Sequence, residues 1–230
     1  MGWLTPLFPP RCLLCGDPGA AGRALCAGCQ GDLPALGHAC ARCAEPLPGT
    51  AAGRPELSVC GACLWRPPPY TAIDVAYPYA APIDWLVRRL KFRGDLPAGR
   101  LLGELLSEAL DVRMRGIEAI VPVPLHPARL RERGFNQVSE IARPLARCLD
   151  VPIVSGGLRR RRPTVPQMEL PADRRRGNVR HAFVPGRAPI RGRVLLVDDV
   201  VTTASTVREA ARALTSAGAE AVHVVAVARA

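Results

Sequence analysis

The run Arg193-Val194-Leu195-Leu196-Val197-Asp198-Asp199-Val200-Val201-Thr202-Thr203-Ala204-Ser205-Thr206 constrains the fold more than any other stretch of the chain. Val194 to Val197 form an uninterrupted apolar run, which is how a strand buried on both faces reads. Asp198 and Asp199 follow and are expected to end it. Hydroxyl residues come next and open an alanine-rich amphipathic helix over 204–217, with Gly218 as its stop. In open α/β sheets, ligands sit beyond the carboxyl ends of the strands. Hydroxyls and backbone amides at a helix N-terminus make an anion cradle. The paired acids beside it suit sugar hydroxyls or a hydrated metal. An anion cradle next to a diol clamp describes a phosphorylated sugar.

The rest of residues 70–230 supplies matching parts. The spacing predicts an edge strand over 73–79. It predicts a helix over 82–92, with Ile83, Leu86, Val87 and Leu90 on one face and Gly94 as its stop. A second helix is expected over 101–110. Residues 117–125 read as a central strand that halts at proline. Pro144 is expected to kink the helix that follows Asn136 and Gln137, two residues that suit either a helix cap or a ligand contact. Residues 221–228 form a last apolar strand. Strands alternating with helices imply an α/β fold, a mainly parallel sheet flanked by helices.

Eight of the nine cysteines fall in four Cys-x-x-Cys pairs: Cys12/Cys15, Cys26/Cys29, Cys40/Cys43 and Cys60/Cys63. Two such pairs close one tetrahedral four-thiolate zinc site, so four pairs imply two zinc ions. Pairing in sequence order would join Cys12, Cys15, Cys26 and Cys29, then Cys40, Cys43, Cys60 and Cys63. A cross-braced pairing competes with it. Four thiolates leave no open coordination position, so the zincs are structural. A module this small has little core and is expected to unfold without metal. His38 reads as a surface residue rather than a ligand. Cys148, in a mostly apolar stretch, reads as a buried structural thiol. Pro67-Pro68-Pro69 is a stiff connector, placing a small N-terminal zinc-ribbon module at 1–66 and the α/β domain at 70–230.

The formal net charge is +11, and residues 1–66 contribute only +1 of it. Residues 159–180 carry eight arginines against Glu169 and Asp173. A surface this basic expects an anionic partner, with phosphate esters and nucleic acid both qualifying. Lys91 is the only lysine. No apolar run reaches the 18 residues of a membrane span, and no leader pattern opens the chain. A cytoplasmic protein is expected.

The 193–206 run resembles the phosphoribosyl pyrophosphate (PRPP) loop of type I phosphoribosyltransferases, except that Ala204 stands where that family usually has glycine. With the cysteine pairs, nearly the whole chain is similar to the ComF/GntX family of bacterial proteins linked to DNA uptake. That resemblance points to a double zinc ribbon followed by a phosphoribosyltransferase-like domain. It implies that Thr202, Thr203, Ala204, Ser205 and Thr206 hold the 5-phosphate of PRPP. Asp198 and Asp199 would act at the ribose hydroxyls as the catalytic pair. The family's pyrophosphate-binding turn corresponds to 121–137, where Arg129, Arg131 and Arg133 suit phosphate because a guanidinium grips it bidentately. Mg²⁺ would bridge the pyrophosphate oxygens. Lys91 falls in a shared Lys-aromatic-x-Gly-Asp segment and is a candidate ligand contact; otherwise it is a solvated cation at a helix end. A mobile lid would use Arg160, Thr164, Gln167, Arg175 or Arg176, and Asn178. Without that resemblance, 159–178 is a solvated basic loop or a nucleic-acid contact.

Phosphoribosyl transfer with PRPP is therefore the expected activity, the acceptor being open. The alternative is a non-catalytic protein of competence that binds single-stranded DNA, with DNA-uptake proteins as partners. Its weakness is a shortage of stacking aromatics: Phe135, Trp65 and Tyr70 are the only platforms near basic residues.

Overall fold

In the computed structural model, Val194–Val197 sit at the middle of a parallel sheet with apolar layers on both sides. The structure describes residues 10–49, 58–110, 114, 116–162 and 181–230. The strands are β1 (Ile73–Pro78), β2 (Ala119–Pro122), β3 (Leu158–Arg160), β4 (Phe183–Pro185), β5 (Arg193–Val201) and β6 (Ala221–Arg229). The helices are α1 (Ala27–Gly31), α2 (Gly61–Trp65), α3 (Ile83–Arg93), α4 (Leu96–Ala109), α5 (Pro127–Arg133), α6 (Gln137–Leu149) and α7 (Ser205–Ser216). Four strands form the sheet in the order β1-β6-β5-β2, every neighbouring pair parallel. β3 and β4 make a separate antiparallel pair.

Alternation along the strands assigns the two faces. Val194 and Leu196 of β5 and Val222, Val224 and Ala226 of β6 pack with α7 and with the β3–β4 pair. Leu195, Val197, Val225 and Val227 pack with α3, α4 and α6. The cysteine-rich segment divides between these layers. Cys40, Cys43 and Cys63 join the α7 side, and Cys12 joins the α3/α4/α6 side.

Three expectations are corrected. The Asp-Asp pair does not end β5. Asp198 pairs with Ala226, and the ladder runs on to Val201 opposite Arg229. Each carboxylate accepts the next residue's amide, Asp199 N to Asp198 Oδ1 at 2.9 Å and Val200 N to Asp199 Oδ1 at 2.7 Å. β2 is a terminal strand of the sheet rather than a central one. Among the described residues, a single bridge, Ile120 to Ile153, lies outside it, and Ile120 is buried in the α3/α4/α6 layer. Cys148 is exposed, because its place on α6 points away from the face carrying Val138, Ile141, Ala142 and Leu145.

Candidate functional site

The site lies at the carboxyl ends of β5, β6 and β2, and neighbouring residues of β5 face different elements. Successive side chains of a strand leave on opposite sides. Asp199 points towards the α3/α6 side, where Lys91 Nζ stands 2.8 Å from its Oδ1 and Gln137 Nε2 donates to its Oδ2 at 2.9 Å. Arg133 Nη1 in turn donates to Gln137 Oε1 at 2.6 Å. Asp198 lies on the β3 side, within electrostatic reach of Arg160. Both acids are buried. Burial, followed by the charge of Asp199, pushes the Asp198 carboxyl up to about 7, against the pull of Lys91 and Arg160.

Beyond β5 the chain turns through Thr202 and Thr203 into α7. Ala204 is the N-cap of α7, with φ 57°, in the left-handed region. Thr203 Oγ1 and Ser205 Oγ are 2.8 Å apart, and Ser205 is buried while Thr202, Thr203 and Thr206 are half-buried. Ala204 makes no side-chain cap, so the first amides of α7 have no hydroxyl or carboxylate of the capping residue to satisfy them. Arg229 closes the back of this turn. Its guanidinium donates to Thr202 O and to Glu45 Oε2.

The 126–137 stretch is not a turn but the short helix α5, N-capped by His126 and ended at Gly134 with φ 81°. Arg129 and Arg131 are exposed on it, and Arg133 is half-buried. Of the α5 arginines, Arg133 connects to the acid pair by hydrogen bonds, through Gln137. Arg129 reaches Arg160 electrostatically. Asn136 caps α6, its Oδ1 accepting from Val138 N, while its Nδ2 donates to Val123 O. Arg160 belongs to β3 rather than to a loop, and its guanidinium stacks on Phe183. The remaining lid residues, Thr164, Gln167, Arg175, Arg176 and Asn178, lie outside the described residues. Sequence reading missed Arg229 and Glu45. The available signal was an arginine following eight residues, 221–228, of which only His223 is polar.

The cysteines form two groups of four, Cys12, Cys15, Cys26, Cys29 and Cys40, Cys43, Cys60, Cys63, with the sulfurs of each within 4.8 Å of one another. This is the sequential pairing, and it supports two structural zinc sites. Backbone amides point at the sulfurs, with Cys60 N to Cys40 Sγ at 3.2 Å and Cys29 N to Cys26 Sγ at 3.4 Å. Burial opposes ionisation of Cys12 and Cys40. Such amide contacts outweigh it and bring these two thiols down to about 6 and about 7, while neighbouring cysteines and burial push Cys29, Cys43 and Cys63 up, as expected of clustered thiols that ionise fully only around a cation. His38 is half-buried and stands outside both groups.

Comparison with known proteins gives the same two parts. A double zinc ribbon domain matches residues 3–64 and a phosphoribosyl transferase domain matches residues 139–230. The chain is 34% identical to Competence protein F of Haemophilus influenzae, over 97% of this chain and 98% of that protein. The chain belongs to the ComF/GntX family. It is also 38% identical to the DNA utilization protein YhgH of Escherichia coli (strain K12), over 94% of this chain. Competence protein ComFC of Streptococcus pneumoniae is 29% identical over 57% of the chain. The matched transferase segment holds the acid pair and the hydroxyl turn. Lys91 and the α5 arginines lie before it and are joined to it only by the fold. Among the described residues, no helix is long and apolar enough to cross a membrane.

Proposed function

We propose that this ComF-family protein binds PRPP with Mg²⁺ in the cytoplasm and serves DNA uptake or utilisation, as the names of its relatives suggest. The observation that carries this reading is the buried Asp198–Asp199 pair running into the hydroxyl turn that leads into α7, with Lys91 held on Asp199. Thr202 to Thr206 and the first amides of α7 take the 5-phosphate. Asp198 and Asp199 take the ribose hydroxyls. Arg129, Arg131, Arg133, Lys91 and Arg160 would take the pyrophosphate, and Mg²⁺ would add positive charge against it. Without ligand, Lys91 and Gln137 hold the Asp199 carboxylate in place. With ligand, Lys91 is free to exchange the carboxylate for a phosphate oxygen. Such a site promotes transfer by positioning the donor and stabilising charge.

Calorimetric titration with PRPP·Mg²⁺ tests it. Wild type should bind at millimolar ligand or below. Asp199→Asn should weaken binding more than tenfold, because Lys91 and the diol both lose a carboxylate. Ala204→Gly should bind as well or better, since removing the methyl widens the phosphate's approach to the turn. No heat from wild type at millimolar PRPP rejects the reading.

A second reading, binding of single-stranded DNA, is favoured by one observation: Trp65 is 93% exposed beside Arg66, in a chain of net charge +11. Such binding must fall steeply as salt rises. A labelled oligonucleotide that gives no shift at about 50 mM salt rejects it.

A further inference from the structure

We propose that the groove between α2 and the hydroxyl turn is a binding subsite for a nucleotide unit, a planar heteroaromatic ring bearing a phosphate. The inference deepens the PRPP reading, because the groove opens directly onto Thr203 and Ser205, but it stands on different residues.

The groove has a volume of about 1030 Å³, at the upper end for small-molecule sites. One wall is the second cysteine cluster with α2, and the other is the first turns of α7. Trp65 ends α2 and presents 93% of its surface to solvent. Among the described residues the other exposed tryptophan, Trp85, is 42% exposed and carries the guanidinium of Arg89 over its ring. Trp65 has no such cover among the described residues, so its ring is an open stacking platform.

The cations sort in the same way. Arg212 pairs with Glu209, and Arg229 pairs with Glu45. Arg66 and Arg208 pair with no carboxylate among the described residues. Arg208 is oriented all the same, lying over the Tyr70 ring at 5.9 Å with Nη2 4.0 Å from Cys63 Sγ. A preset guanidinium loses little entropy on taking a phosphate. A ring on Trp65 and a phosphate between Arg66 and Arg208 fit one ligand class. A sugar phosphate alone leaves the indole unused, and a free base leaves the arginines unused.

The test uses the full-length, zinc-loaded chain and three probes: adenosine 5′-monophosphate, ribose 5-phosphate and a 5′-phosphorylated oligothymidylate. Wild type should bind the nucleotide more tightly than the sugar phosphate. Trp65→Ala should weaken the nucleotide roughly tenfold or more, the usual size of a lost base stack. Trp65→Phe should recover most of that loss. Ribose 5-phosphate should bind Trp65→Ala and wild type alike. An oligonucleotide that binds more tightly than the mononucleotide, with the same Trp65 dependence, assigns the nucleotide unit to a nucleic-acid strand. Equal affinity assigns it to free nucleotides. Equal wild-type affinity for adenosine monophosphate and ribose 5-phosphate, or a nucleotide affinity indifferent to Trp65→Ala, overturns the proposal. Trp65-dependent nucleotide binding in a protein that gives no heat with PRPP would sink the donor assignment and leave the groove standing.

Discussion

Asp198 sits in an environment unlike that of a surface carboxylate. Below about pH 4 it is neutral in both the folded and the unfolded chain, and burial costs nothing. Between its ordinary value of 3.8 and its folded value of about 7, only the unfolded chain ionises, so stability drains away as pH rises. Above pH 7 the cost is complete. Asp198→Asn keeps an oxygen for the Asp199 amide and removes the titration. We expect the variant to unfold at a higher temperature than wild type at pH 8, with the gap narrowing towards pH 5. Each kcal/mol should appear as about 2–4 °C in a chain of this size. A gap that is flat or grows towards pH 5 in calorimetric scans would contradict the buried carboxyl. Ala204 is the second unusual residue. Its left-handed φ was foreseeable only through likeness to a loop that usually has glycine there. Its methyl is 6% exposed and packs in the core. Glycine would relieve strain of order 1 kcal/mol but lose a buried methyl worth about 0.8 kcal/mol, so binding reports this position better than stability does.

At the scale of elements, the α4–α6 contact holds the acid pair's supports in place. α6 begins with Asn136 and Gln137, and its packing on α4 determines where Gln137 Nε2 meets Asp199. The close approach depends on Gly103. A Cβ there would stand 2.4 Å from Ile141 O and 2.8 Å from a Pro144 ring carbon. The first is backbone and cannot swing aside. Gly103→Ala should therefore destabilise the protein by about 1–3 kcal/mol, despite alanine's better helix propensity. Urea unfolding measures this, and a stabilised variant would mean that α6 can move without cost. Pro144 thus has a packing role opposite Gly103, a meaning that no count of helix breakers conveys. The β3–β4 pair is the other element with a consequence for the site. It turns Arg160 from a loop residue into a strand residue held on Phe183 and facing Asp198.

For the molecule as a whole, the cysteine clusters lie in the two apolar layers on either side of one sheet. The second is tied to the site twice, through Glu45–Arg229–Thr202 and through Cys63–Arg208. Metal loss there should strip Glu45 from a guanidinium that is 6% exposed, leaving a buried charge without its partner. Chelation should accordingly release two equivalents of zinc, lower the unfolding temperature of the entire protein and weaken PRPP binding together with it. Zinc release followed colorimetrically, with thermal scans on the same samples, checks this. Full zinc release with an unchanged unfolding temperature would show the ribbons to be energetically separate.

Local sequence determined what local physics controls. Cysteine spacing specified two four-thiolate sites. Apolar runs and glycine stops specified α3, α7 and the inner strands. The Asp-Asp-hydroxyl run pointed to the candidate site. Tertiary structure decided everything that depends on which face a residue leaves from. It carried β5 through the acid pair, because a parallel neighbour supplies backbone partners that outweigh two charges. It moved β2 to the sheet's edge and exposed Cys148. It brought Lys91, Gln137 and Arg229 to the site from three separate elements. Such contacts join residues tens to well over a hundred positions apart, as in Glu45 with Arg229, and packing geometry rather than local pattern selects them.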